Sequence, residues 1–213
     1  MAAALCLAVS LTPWGPFALY PFTLFTTWVH ECGHAIATVV LGGAVASITI
    51  RSDTSGLTRS LVPASPFAQA LVASAGYLTA SIVGCLLLTA SRVDRRAKAI
   101  FRVIAAFMLV TLVLWIRNLF GVLVVAAWAV ALLILAGKRA TRGVAGFALG
   151  VLAILVTLNA VFDIRVLFFA RGASDAVTMA RVTGAPVWLW AAVWMAISVF
   201  LLVSTLRATG SRR

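Results

Sequence analysis

"WVHECGHAIATVV", residues 28–40, sets both histidines of the chain and one of its five acidic residues inside an apolar run. His30 and His34 are four residues apart, so on a helix they share a face and present two imidazoles to one point. Glu31, next to His30, sits beside that point without having to bind there. This is the H-E-x-x-H arrangement. Two imidazoles hold a zinc ion, and the glutamate takes a proton from a water that the metal acidifies, then passes it to the leaving amine. An ionisable cluster inside a membrane helix is costly, which sets this reading above two histidines buried by hydrogen bonding. Gly33 weakens the helix locally and permits close approach. Cys32, two residues from either histidine, points elsewhere and is expected to be a packing residue.

Outward from the motif, the chain is too apolar for a water-soluble domain. Of its 213 residues, 63% are hydrophobic and 10% charged, against the roughly 45–50% and 25% of soluble domains, and its mean hydropathy is +1.12. The apolar residues come in blocks long enough to cross a hydrocarbon core of about 30 Å. Six spans are expected in one domain covering residues 1–213: about Phe17 to Leu41, Phe67 to Ala90, Ala99 to Ile116, Leu119 to Ala136, Val144 to Phe162 and Pro186 to Leu206. Residues 3–12 form a candidate separate short helix, and with no basic stretch before them a cleaved signal peptide is not expected. Arg117 and Asn118 divide an otherwise overlong apolar stretch and are read as a tight turn at an interface. The expected fold class is therefore an all-α integral membrane protein.

Between the first two spans, "GGAVASITIRSDTSGLTRSLVP" (residues 42–63) holds a β-branched run and a turn cluster, which predicts a short β-hairpin. An extended edge there could take an unwound peptide by strand addition. In the second span Gly76, Ala80 and Gly84 form a small-residue ridge, read as helix packing. The tryptophans, as in "PVWLWAAVW", are read mostly as interfacial anchors.

The net charge of +12 does not imply nucleic acid. The basic residues lie in short clusters between apolar runs ("RVDRRAK", "GKRATR", "RATGSRR"), where topological anchors belong. If those loops are cytoplasmic, His34 and Asp163 share the outer half of the membrane. Cys6, Cys32 and Cys85 are odd in number and lie in apolar segments, so no disulfide framework is expected.

A catalytic zinc needs a third protein ligand and an open position. With no further histidine, the residues leave Asp53, Asp94, Asp163, Asp175 or a cysteine. Asp94 sits in a basic loop and reads as a solvated ion-pair partner, and Asp53 in "RSDTSG" as a turn residue. Asp163, in "LVTLNAVFDIRVLFF", is flanked by apolar residues, where an unpaired carboxylate is expensive; its alternative is a pair with Arg165. Asn159, four residues earlier on the same face, can orient that carboxylate or hold a substrate backbone. In "RGASDAVTMARVTGAP", Ser174 reads as an N-cap and Asp175 as a favourable first-turn residue of an amphipathic helix, with zinc ligation its second role.

"YPFTLFTTWVHECGHAIATVVLGG", "SAGYLTASIVG", "NAVFDIR" and "SDAVTMARVTGAPVWLWAAVW", in that order over nearly the whole chain, resemble the M50B-like membrane metallopeptidases, relatives of the site-2 proteases. The resemblance implies an intramembrane zinc protease with His30 and His34 as ligands, Glu31 as general base and Asp163 as third ligand. Site-2 proteases carry Leu-Asp-Gly after an Asn-Pro-rich segment at that ligand; "NAVFDIR" keeps Asn159 and Asp163 without the prolines or the glycine. The expected substrate is a membrane-spanning protein of regulatory kind, cut within the lipid bilayer, and the expected location is the cell membrane. The competing reading is a zinc-binding membrane protein without protease activity, regulatory or chaperone-like. The intact Glu31 speaks against it, because a structural site needs no base. A transporter would need polar residues along several spans, and spans two, three, four and six offer almost none.

Overall fold

The computed structural model describes residues 12, 14–92, 94–168 and 174–210. The helix expected over residues 3–12 lies, but for Thr12, outside them. Helix α1 (Gly15–Val40) carries the H-E-x-x-H motif. Two threonines N-terminal to the motif satisfy their hydroxyls on their own helix: Thr23 donates to the Leu19 carbonyl and Thr26 to Phe22. Polar side chains are thereby tolerated in an apolar setting. Gly42 ends the helix in the left-handed conformation, φ 77°, which costs glycine nothing. Its N–H donates to Val39 and that of Gly43 to Thr38, the double closure that turns a helix end back on itself.

The chain turns at once into the expected hairpin. Strand β1 (Ala44–Ile50) pairs antiparallel with β2 (Gly56–Leu61), with an irregularity between Val45 and Ser47. The hairpin is folded into the protein rather than left as a surface loop, since Ile48 and Ile50 are fully buried in the main core. Its tip is tied to α1 through Tyr20, which donates to the Ser52 carbonyl at 2.7 Å, and Thr27, which donates to Thr54 at 2.7 Å. Asp53 is the turn residue expected: it accepts from the Ser55 N–H and hydroxyl, and those bonds hold its carboxyl below the usual carboxylate range.

Six further helices follow among the described residues: α2 (Pro66–Ala90), α3 (Asp94–Leu114), α4 (Leu119–Ala136), α5 (Arg142–Leu167), α6 (Asp175–Thr183) and α7 (Val187–Gly210). Five of them (α2, α3, α4, α5 and α7) are long and apolar enough to cross a membrane. The chain is a multi-pass membrane protein. Helix α1, counted above as the first of six spans, is not among the five; His30, Glu31, His34 and its threonines interrupt its apolar run. The expected boundaries fall within a few residues of the helix ends, and α6 is the amphipathic helix expected after the fifth span. The reading of Asp94 as a solvated ion-pair partner falls on a side chain outside the described ones.

Helix α2 packs on α1, α5, α6 and α7 and so forms the centre of the bundle. Two glycines let it do so. A Cβ on Gly33 would collide with Ala75 and Thr79 of α2, and one on Gly84 with Thr157 of α5. The ridge read from the sequence thus packs helices at Gly84. Arg117 and Asn118 do break α3 from α4, but the break has a further task. The Ile48 N–H donates to the Trp115 carbonyl and the Arg117 N–H to the Ile48 carbonyl. Asn118 binds both main-chain groups of Ile50, accepting at 3.1 Å and donating at 2.7 Å. The outer edge of β1 is therefore covered, and among the described residues no third strand pairs with β2, which leaves the hairpin's open edge there. Two tryptophans also depart from the anchor reading: Trp194 and Trp28 are buried, and Trp28 donates to the Thr111 hydroxyl at 3.1 Å.

Candidate metal centre

The motif stands on the face of α1 that looks at α2, β2 and α6. The Nε2 atoms of His30 and His34 lie 2.9 Å apart. His34 donates its Nδ1–H to the Val72 carbonyl at 2.7 Å. A carbonyl only accepts, so this bond places the proton of the neutral ring on Nδ1 and makes Nε2 the nitrogen that a metal would take. His30 stands edge-on to the Tyr77 ring, with centroids 4.5 Å apart, and Tyr77 in turn stacks on Trp194. One imidazole is thus oriented by a carbonyl and the other by an aromatic wall.

The third member of the cluster is Asp175. Its Oδ2 lies 3.2 Å from His30 Nε2 and 3.3 Å from His34 Nε2. His30, His34 and Asp175 each offer one donor atom to a common point and can hold a metal ion. A tetrahedral ion with bonds of about 2.0–2.1 Å sets its ligands about 3.3 Å apart, close to the three separations found. Burial alone would raise the Asp175 carboxyl, but the facing His34 and His30 hold it well below the usual carboxylate range. A carboxylate and two imidazole nitrogens, which give up their protons to a metal, are a donor set for a divalent cation.

Ser174 is the N-cap expected, accepting from the Val177 N–H. Because the serine does the capping, the Asp175 carboxylate is left to face the histidines. Asp163 lines the same cavity but is not part of the three-residue cluster. Among the described residues it makes no ion pair with Arg165, whose guanidinium lies 5.7 Å from the Phe162 ring centre instead. Asn159 approaches the Thr26 hydroxyl at 3.5 Å, the outer limit of a hydrogen bond, and does not line the cavity. Cys32 is buried on the opposite side of α1, in an apolar crevice with Trp28, Val83 and Phe107.

Glu31 is buried, with 5% of its surface exposed. Its Oε2 accepts from the Thr58 hydroxyl at 2.6 Å. The histidines and Glu31 open onto a cavity of about 530 Å³, lined by α1, β2, α2, α6 and Asp163. Threonines 23, 27, 54, 58 and 178, together with Ser60 and Gln69, make much of its wall polar. Such a wall can hold water inside an otherwise apolar bundle.

Gly76 is the residue the sequence reading placed in packing alone. A Cβ there would collide with His30 Nε2, His30 Cε1 and His34 Nε2. Its missing side chain is the space in which the two imidazoles sit. We expect Gly76→Ala to displace both rings and to lower metal occupancy by at least about tenfold, a loss of the size that disturbed ligand orientation causes, while thermal unfolding of the bundle changes little. Metal content by mass spectrometry on purified protein checks this.

The sequence model of the Peptidase M50B-like family matches residues 1–205. The chain belongs to that family. The match covers the motif helix, the hairpin, α2 to α6 and all but the last turns of α7. No curated protein and no solved structure matches the chain.

Proposed function

We propose that this M50B-like protein is an intramembrane zinc metalloprotease that hydrolyses peptide bonds of membrane-embedded proteins. The observation that carries the reading is the convergence of His30, His34 and Asp175 on one point, with the Glu31 carboxylate on the same helix face opening onto the same polar cavity. When bound, zinc supplies Lewis acidity, bringing the pKa of water toward neutrality and polarising the scissile carbonyl. His34 is held in its ligating tautomer by Val72, and Asp175 supplies the negative charge. Glu31 takes a proton from the attacking water and delivers it to the leaving nitrogen, so that water and peptide become acid and amine. Of the two candidates for third ligand, geometry favours Asp175. Asp163 stands in the same cavity as an outer carboxylate.

A membrane helix hides its peptide bonds in its own hydrogen bonding, so the substrate must be locally unwound. The open edge of β2, beside Glu31, offers main-chain groups to an extended peptide. The substrate is accordingly proposed to be a membrane-spanning, regulatory protein of the cell membrane. A purified preparation should cut a transmembrane peptide, lose the activity on removal of metal by a chelator, and regain it with stoichiometric zinc. Undiminished cleavage by metal-free protein would refute the reading.

A further inference from the structure

We infer that Thr58 is the positioning residue of the general base, so that the seating of the hairpin sets the orientation of Glu31. The inference rests on the reading of Glu31 as base. Gly56 and Thr58 are two residues apart on β2, so they present the same face of the strand. Both face the Glu31 side chain. The Thr58 hydroxyl donates to Glu31 Oε2 at 2.6 Å and lies 3.0 Å from the Glu31 main-chain carbonyl, bridging the carboxylate to its own helix backbone. A Cβ on Gly56 would collide with Glu31 Oε1, Cγ and Cδ. The carboxylate thus lies along one strand, with Oε2 pinned at Thr58 and Oε1 over the gap at Gly56.

A glutamate has three rotatable side-chain bonds, and freezing them toward one atom is what an acid–base role requires. A misplacement near 1 Å can cost about 10²-fold in rate. Helix α1 does not supply that constraint alone; it comes from a strand 27 residues further on. The strand is itself fixed at its turn end, next to Gly56. Asn118 holds Ile50, opposite Gly56 in the register, and Thr27 holds the turn at Thr54. Gly56, Leu57, Thr58 and Ser60 of the same strand line the cavity, so a peptide bound there touches the element that aims the base.

The test compares the full-length wild type with Thr58→Val, Thr58→Ser and Glu31→Gln, measuring kcat and KM on a transmembrane peptide, bound zinc per chain and thermal unfolding. Thr58→Val removes the donor at nearly constant volume, and Thr58→Ala does so where the second methyl is not accommodated. We expect kcat to fall about 10- to 100-fold, the range of a hydrogen bond to a charged group. KM and zinc content should stay within about twofold, and Thr58→Ser should recover most of the rate. Wild-type kcat in Thr58→Val beside an inactive Glu31→Gln overturns the positioning role and leaves the base assignment standing. Loss of zinc or fold in both Thr58→Val and Thr58→Ala, not recovered by Thr58→Ser, makes the residue structural and also overturns it. An active Glu31→Gln removes the base assignment, and the inference with it.

Discussion

Glu31→Gln is expected to abolish peptide hydrolysis while leaving both the bound metal and the fold in place. The substitution keeps the shape and polarity of the side chain. An amide still fits between Gly56 and Thr58, and its oxygen still accepts from the threonine hydroxyl that now meets the carboxylate. It cannot take up a proton near neutral pH. Removal of a positioned general base costs about 10²- to 10⁴-fold, so kcat should drop by at least that range. Glu31 is not one of the three clustered donors, so zinc stoichiometry should be unchanged. Parallel measurement of turnover, bound zinc and melting temperature separates this outcome from simple unfolding. A variant that loses zinc would instead make Glu31 part of the metal site.

Asp175→Ala and Asp163→Ala should part company at the metal. Removing Asp175 takes away the only carboxylate within reach of both imidazole Nε2 atoms among the described residues. It leaves α6 with its Ser174 cap. Zinc affinity, measured by competition with a chromophoric chelator, is expected to weaken by more than about 10²-fold, beyond the range for residues that only support a ligand. Asp163→Ala should weaken it by about tenfold or less, since that carboxylate faces the cavity without joining the cluster. Because chelator competition needs no substrate, the two variants can be ranked even where neither cleaves. The reverse ranking would transfer the third-ligand role to α5.

These contrasts mark where local pattern ends and tertiary arrangement begins. The motif was legible because His30 and His34 share one helical face, whatever surrounds them. Apolar length likewise marked the long helices, and the β-branched run and turn cluster within residues 42–63 marked the hairpin. The third ligand was not legible in this way. Asp163 and Asp175 lie 129 or more residues from the motif by their numbers, and which of them reaches it depends on how α5 and α6 dock on α2. The Ser174-Asp175 pair did hold a usable signal. Two capping-type residues in succession leave one carboxylate free of the capping task, and that carboxylate then needs another partner. Gly76 was read as part of a packing ridge because small residues at four-residue spacing look the same whether they admit a helix or an imidazole. Thr58 lies in the predicted hairpin without any sign of its partner, since a hydroxyl's contact across a fold leaves no periodic trace. Asn118 was recognised as a break between spans, but its two bonds to Ile50 follow from the docking of the hairpin, which no pattern around residue 118 encodes.

The most direct test compares the membrane proteomes of cells lacking the native protein and supplied with either the wild type or Glu31→Gln, each verified as present, folded and zinc-loaded. Intramembrane proteolysis by this chain predicts that at least one membrane-spanning protein accumulates full-length only with Glu31→Gln, while its shortened product appears only with the wild type. Identical proteomes would contradict the protease account and leave a zinc-binding membrane protein that does not cut its partners.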